Sequence, residues 1–182
     1  MTTFDGSDGI STLDPVRVKS VRRRSLLYGV TTAVLVVIVG LAFVESSGWF
    51  DVYGVNSATA RATGGGYDLS VEYGTVTRPA LATPFEIVVT RADGFDQPVT
   101  VLVDRSYLAI WDENGLVPAP ASETVRGPWV EWEFEPPSGN ELTIMYDARI
   151  EPGVQSGQDG AVAVLDADEI VVQVDFHTAV RP

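Results

Sequence analysis

The sequence predicts an all-β fold, an antiparallel β-sandwich of about seven or eight short strands, preceded by one transmembrane α-helix. Three observations predict it. Leu26 to Val44 is an apolar run without a charge or a proline. From Tyr67 onward, apolar residues recur at every second position, the pattern of strands with one buried and one wet face. Turn chemistry separates these runs, as at Arg78-Pro79, Asp93-Gly94 and Pro136-Pro137-Ser138-Gly139.

Taken in order, residues 1–25 are polar and lack an apolar period, which predicts a disordered tail. Arg22, Arg23 and Arg24 close this segment. Positive charge flanking an apolar run marks the cytoplasmic side, so the tail is expected inside the cell and the C-terminus outside. The same arginines suit anionic lipid at the inner leaflet. The 19 residues from Leu26 to Val44 would span about 28 Å as a helix, close to a hydrocarbon core of about 30 Å. Residues 26–46 are therefore expected to be the transmembrane helix. A cleavable signal peptide is the alternative, but the apolar run is longer than usual and no good small-x-small site follows. An uncleaved signal anchor is the expectation. Gly29 and Ala33 form a small-xxx-small pair, read as lipid-facing filler rather than a helix contact. Trp49, Phe50 and Tyr53 suit the headgroup level.

Residues 47–66 carry Ser, Thr, Ala and the triple Gly64-Gly65-Gly66, and predict a flexible stalk. The sandwich is expected over 67–182. Its alternating runs are Tyr67–Tyr73, Phe85–Val89, Val99–Val103, Tyr107–Trp111, Val130–Phe134, Leu142–Ala148, Ala161–Leu165 and Ile170–Phe176. Asp112-Glu113-Asn114-Gly115 reads as a hairpin turn with Gly at positive φ, and Gln158-Asp159-Gly160 as another turn.

Composition narrows the function. The chain has no cysteine, which excludes disulfides and thiolate metal sites. Residues 45–182 hold 7 Arg, no Lys and 22 acidic residues, a net charge of −15. Such a domain repels phosphate backbones and anionic headgroups, so nucleic acid is not an expected partner. The acidity is explained by solubility.

The catalytic inventory is small. His177 is the one histidine; its parity opposite Phe176 places it toward solvent, and no nucleophile elbow is present. Glu131, Glu133 and Glu135 share a strand face about 7 Å apart, which reads as a wet face and not a glycosidase pair. Asp159, Asp166, Asp168 and Glu169 form an oxygen-rich group that could hold Ca²⁺, without the spacing of a dedicated loop. No catalytic residue, cofactor or metal ligand is assigned. Trp111 and Trp129 are the candidate partner-surface residues, because exposed aromatic side chains anchor interfaces.

The stretch Tyr67 to Arg91, YDLSVEYGTVTRPALATPFEIVVTR, resembles the opening of Ig-like accessory domains of bacterial surface proteins. There a first strand is followed by a proline-bearing connection and an apolar strand. The whole layout is similar to that of actinobacterial single-pass membrane proteins with an exported Ig-like β-sandwich. The resemblance implies a non-enzymatic interaction or accessory module of a membrane complex or the cell envelope, with a protein partner. The alternatives are an exported carboxylate-dependent hydrolase, a Ca-dependent binding domain, and a sensor. The tail shows no output module for the last.

Overall fold

The structure is a computed structural model that describes residues 15–46 and 54–181, with side chains in the helix described from Leu26 to Leu41. Two compact units are present, residues 1–50 and 51–182.

The first unit holds α1 (Pro15–Ser46). Proline fits the first helical position because its fixed φ matches the helix and its missing N–H would be unpaired there. The helix thus starts eleven residues before the apolar run. Residues 15–25, expected to be disordered, are helical; residues 1–14 lie outside the described residues. Among the described residues, no helix is long and apolar enough to cross a membrane. Only 16 residues of the expected span, Leu26 to Leu41, have described side chains, and all of their large apolar side chains are exposed. The side chains of Arg22, Arg23 and Arg24, and all of Trp49, Phe50 and Tyr53, lie outside the described set.

The second unit is all-β. Its strands are β1 (Asn56–Gly64), β2 (Tyr67–Thr77), β3 (Phe85–Arg91), β4 (Val99–Asp104), β5 (Trp111–Val117), β6 (Ser122–Arg126), β7 (Trp129–Phe134), β8 (Glu141–Ile150), β9 (Gln158–Asp166) and β10 (Glu169–Val180). A single turn of helix, α2 (Arg105–Leu108), follows β4. The strands form one curled ten-stranded sheet in the order β5-β8-β3-β2-β10-β9-β4-β7-β6, with β1 added beside β2. Every pairing is antiparallel except β2 with β10. β10 joins the two halves: Glu169–Thr178 pairs with β9, and Ala179–Val180 turns to pair with Val76–Thr77 of β2. Hydrogen bonding is thus continuous where two separate sheets were expected.

Of the expected stalk, residues 47–66, positions 47–53 lie outside the described residues, and Asn56–Gly64 is strand β1, in register with β2 from Asn56↔Val76 to Gly64↔Tyr67. The glycines are its hairpin turn. Gly65 and Gly66 have φ of 58° and 84°, the two positive values that a two-residue hairpin loop requires. Three further expectations are corrected. Tyr107 lies in α2 and not in a strand. Residues 112–115 lie inside β5, with a register shift between Glu113 and Gly115, a bulge instead of a hairpin. Residues 158–160 open β9.

The inner faces of the curl share one core. Phe85 stands at its aromatic centre, with ring centroids of Tyr107 at 5.3 Å, Trp111 and Tyr146 at 5.8 Å, and Phe176 at 6.1 Å. Asp104 caps α2 by accepting hydrogen bonds from the N–H groups of Ser106 (2.7 Å) and Tyr107 (3.1 Å). That cap fixes the turn that carries Tyr107 inward, where it is fully buried.

Candidate functional site

The register sorts the domain into two ends. The chain comes in at Asn56, beside Val76, Trp111, Ile150 and Val180. At the far end lie the β1–β2 hairpin, the β3–β4 loop, the start of β8 and the β9–β10 turn.

A polar hollow of about 600 Å³ opens at this far end. Its anchor is Tyr67, which starts β2 and is 8% exposed. The Tyr67 hydroxyl donates to Asp166 Oδ2 at 3.3 Å and accepts from a guanidinium nitrogen of Arg91 at 3.2 Å. The Arg91 guanidinium carbon lies 5.0 Å from the centre of the Tyr67 ring, within cation–π range. Burial raises the pKa of Tyr67, the Asp166 charge adds to the rise, and the Arg91 charge opposes it. Asp166 enters the β9–β10 turn, whose two residues Ala167 and Asp168 both have positive φ (48° and 67°). The Asp168 carboxylate meets Arg126 at 3.2 Å, and the same guanidinium lies 3.9 Å from Glu131. Three distant segments thus meet through alternating charges. The arrangement offers hydrogen bonds to a polar surface. His177 is not part of it, and none of its groups forms a nucleophile–base pair.

A second hollow, of about 540 Å³, lies on the outer face of β1, β2, β3 and β8. Cross-strand rows build it: Thr59–Glu72–Glu86–Met145, Arg61–Ser70–Val88–Thr143 and Thr63–Asp68–Thr90–Glu141. Glu72 and Glu86 stand directly opposite each other, an arrangement that costs stability.

The candidate residues are placed as follows. Trp111 is 7% exposed and belongs to the aromatic core, so it is unavailable to a partner. It opens β5, where its ring packs against Phe85, Tyr107 and Tyr146. Trp129 is half-buried at the start of β7, opposite Asp104 and Arg126. It remains on the outer face. His177 Nδ1 lies 2.7 Å from Asp159 Oδ1 across the β9–β10 pair, and both side chains are exposed. Glu131 and Glu133 lie half-exposed on the outer face of β7, and Glu135 follows the strand, exposed. The proposed oxygen cage does not assemble: Asp166 is engaged by Tyr67, Asp168 by Arg126, and Asp159 sits at the opposite end of β9. Among the described residues, no three His, Cys, Asp or Glu side chains converge to hold a metal ion.

The Tyr67–Arg91–Asp166 network was missed in the sequence because its members are 24 and 99 positions apart. The one local signal was Tyr67 itself, a polar-tipped aromatic opening a strand. No protein-family model matches the chain, and no curated protein matches it.

Proposed function

We propose that this chain is a single-pass membrane protein, cytoplasmic at its N-terminus, whose exported Ig-like domain is a non-enzymatic interaction module of a membrane complex or the cell envelope. The observation that carries the reading is α1. The whole uncharged run Leu26–Val44 lies within this helix, and every large apolar side chain from Leu26 to Leu41 is more than half exposed. A helix that is apolar all round needs an apolar solvent. Arg22 to Arg24 precede it and set its direction by the positive-inside rule. The Ig-like reading is supported by the strand orders β5-β8-β3-β2 and β10-β9-β4-β7-β6, joined by the short parallel pair of β2 with β10. The interaction role is supported by the polar hollow at Tyr67 and by the half-exposed Trp129, neither of which carries a catalytic set.

Crosslinking in native membranes, followed by purification, tests the function. The expected product is the chain joined to a second protein or to envelope polymer. Recovery of a lone monomer overturns the interaction role. Survival of the C-terminal domain when protease is added outside the cells would overturn the orientation.

A further inference from the structure

We propose that the outer face of β5, β8, β3 and β2 docks a partner protein through a segment that sets a lysine or arginine beside an apolar residue. This rests on the interaction role given above and names for it a surface and the chemistry of the partner.

One row across the sheet carries the argument. The register aligns Val117, Met145, Glu86, Glu72 and Thr59 on successive strands. Their neighbours along the strands, Tyr146, Ile87 and Val71, are buried in the core, so the row faces outward. At one end it is apolar. Val117 is 55% exposed and Met145 is 50% exposed, and the two are cross-strand partners. Half-buried Val88, diagonal to Met145, extends the patch. Among the described residues of the domain, Leu81, Val125 and Ile170 are the other exposed large apolar residues, and no two of them are cross-strand partners. Methionine is flexible and polarisable, and interfaces are enriched in it.

Charge supplies the choice of occupant. Next along the row, Glu86 and Glu72 are half-buried and directly opposite each other, which costs stability. Asp147 follows Met145 on the same face of β8 and is exposed, and Asp68 and Glu141 line the hollow beside the row. Arg61 also lines that hollow, and among the described residues no ion pair joins it to any of these carboxylates. Arg149, farther along β8, is already paired with Asp112 at 2.6 Å. The row thus combines two costs, an apolar pair left in water and two carboxylates left facing each other. One occupant relieves both: a cation over Glu72 and Glu86, with an apolar side chain over Met145 and Val117. Adjacent strands lie about 5 Å apart, so a short segment lying across them spans both pairs. Anionic headgroups are repelled by these carboxylates. A second copy of this domain, with net charge −15 over residues 45–182, brings the wrong sign as well.

Photo-crosslinking tests this face. Full-length protein carrying Met145→p-benzoylphenylalanine or, at the far end, Ser138→p-benzoylphenylalanine is irradiated in native membranes, and its adducts are mapped by mass spectrometry. The expected result is a protein adduct at position 145 and not at 138, through a peptide with lysine or arginine beside an apolar residue. Adding Glu72→Gln and Glu86→Gln should lower its yield about tenfold, since two charge-assisted contacts are lost. These two substitutions remove a repulsion, so the loss cannot come from unfolding, and near-UV circular dichroism checks that each variant is folded. An adduct at 145 that the glutamines leave unchanged overturns the proposal, as does a lipid or glycan adduct there. Equal adducts at both positions, or adducts at 138 alone, overturn this face while the interaction role stands. No adduct at 145 also overturns this face, and the interaction role falls with it only where chemical crosslinking recovers a lone monomer.

Discussion

At the scale of the residue, Tyr107 shows how one polar atom is accommodated in this core. Its hydroxyl meets Thr178 Oγ1 at 3.0 Å, and both residues are fully buried. Tyr107→Phe removes one partner and leaves the threonine hydroxyl without its bond, a cost of about 1–3 kcal/mol, which urea denaturation at pH 7 will read. Burial raises the pKa values of Tyr107 and Tyr146, with Glu113 adding to the rise at Tyr146. The folded state thus favours the neutral phenols. Their stability is fully present below the unfolded value of about 10 and is lost as pH rises through 10 toward the folded values. Alkaline unfolding is expected to begin near pH 10, and Tyr107→Phe should lessen its steepness, as followed by circular dichroism between pH 8 and 12. Ala80 makes the opposite case. Because its φ of 64° suits glycine, Ala80→Gly should raise stability by about 0.5–1 kcal/mol. Such residues are the least legible in a sequence. Alternation gave the faces of Trp132, Phe134 and Ile144 correctly, since each sits within an unbroken strand run and each is buried. Trp111 was expected at a partner surface because it is aromatic, a property that serves a core as well as an interface, and it is buried.

At the scale of the element, small residues hid structure that large ones revealed. β1 has the same alternating burial as its neighbours, but Ala60 and Ala62 are its contributions toward the core. Alanines among threonines and glycines look like a linker until β2 is laid beside them. Removal of β1 should matter: a chain starting at residue 51 keeps the strand, whereas one starting at 67 bares the edge of β2 and the apolar surface under both alanines. The shorter chain is expected to unfold at lower urea and to aggregate by its open edge; equal urea midpoints would show that β1 contributes nothing. Gly160 misled in the same way. Beside Gln158 and Asp159 it looked like part of a turn, yet it is a buried strand position where a Cβ would lie 2.6 Å from the Phe176 ring and 2.7 Å from the Tyr107 ring. Glycine is there to admit two aromatic rings. Gly160→Ala should cost about 1–3 kcal/mol. Gly115→Ala, with open space around it, is the control and should be nearly neutral.

At the scale of the whole molecule, the acidity that the sequence announces becomes a property of shape. The curl turns apolar residues inward and spreads carboxylates over its outer faces and its far end. Among the described residues, Asp112, Glu131 and Asp168 lie within ion-pair distance of an arginine, while most of the other carboxylates share a surface with further carboxylates. Glu72 and Glu86, paired directly across β2 and β3, are like charges placed opposite each other, which costs stability. Repulsion among exposed charges is reduced once the Debye length falls below their spacing, which shrinks from about 30 Å at 0.01 M salt to about 3 Å at 1 M. The domain is thus expected to be more stable in 0.5 M NaCl than in 0.01 M, the reverse of a protein held together by surface ion pairs. Glu86→Gln should raise stability by about 0.5 kcal/mol at low salt, and the gain should shrink as salt rises. Thermal unfolding of both proteins across that salt range measures the two effects. A melting temperature that falls with salt would mean that attractive pairs outweigh the like-charge rows.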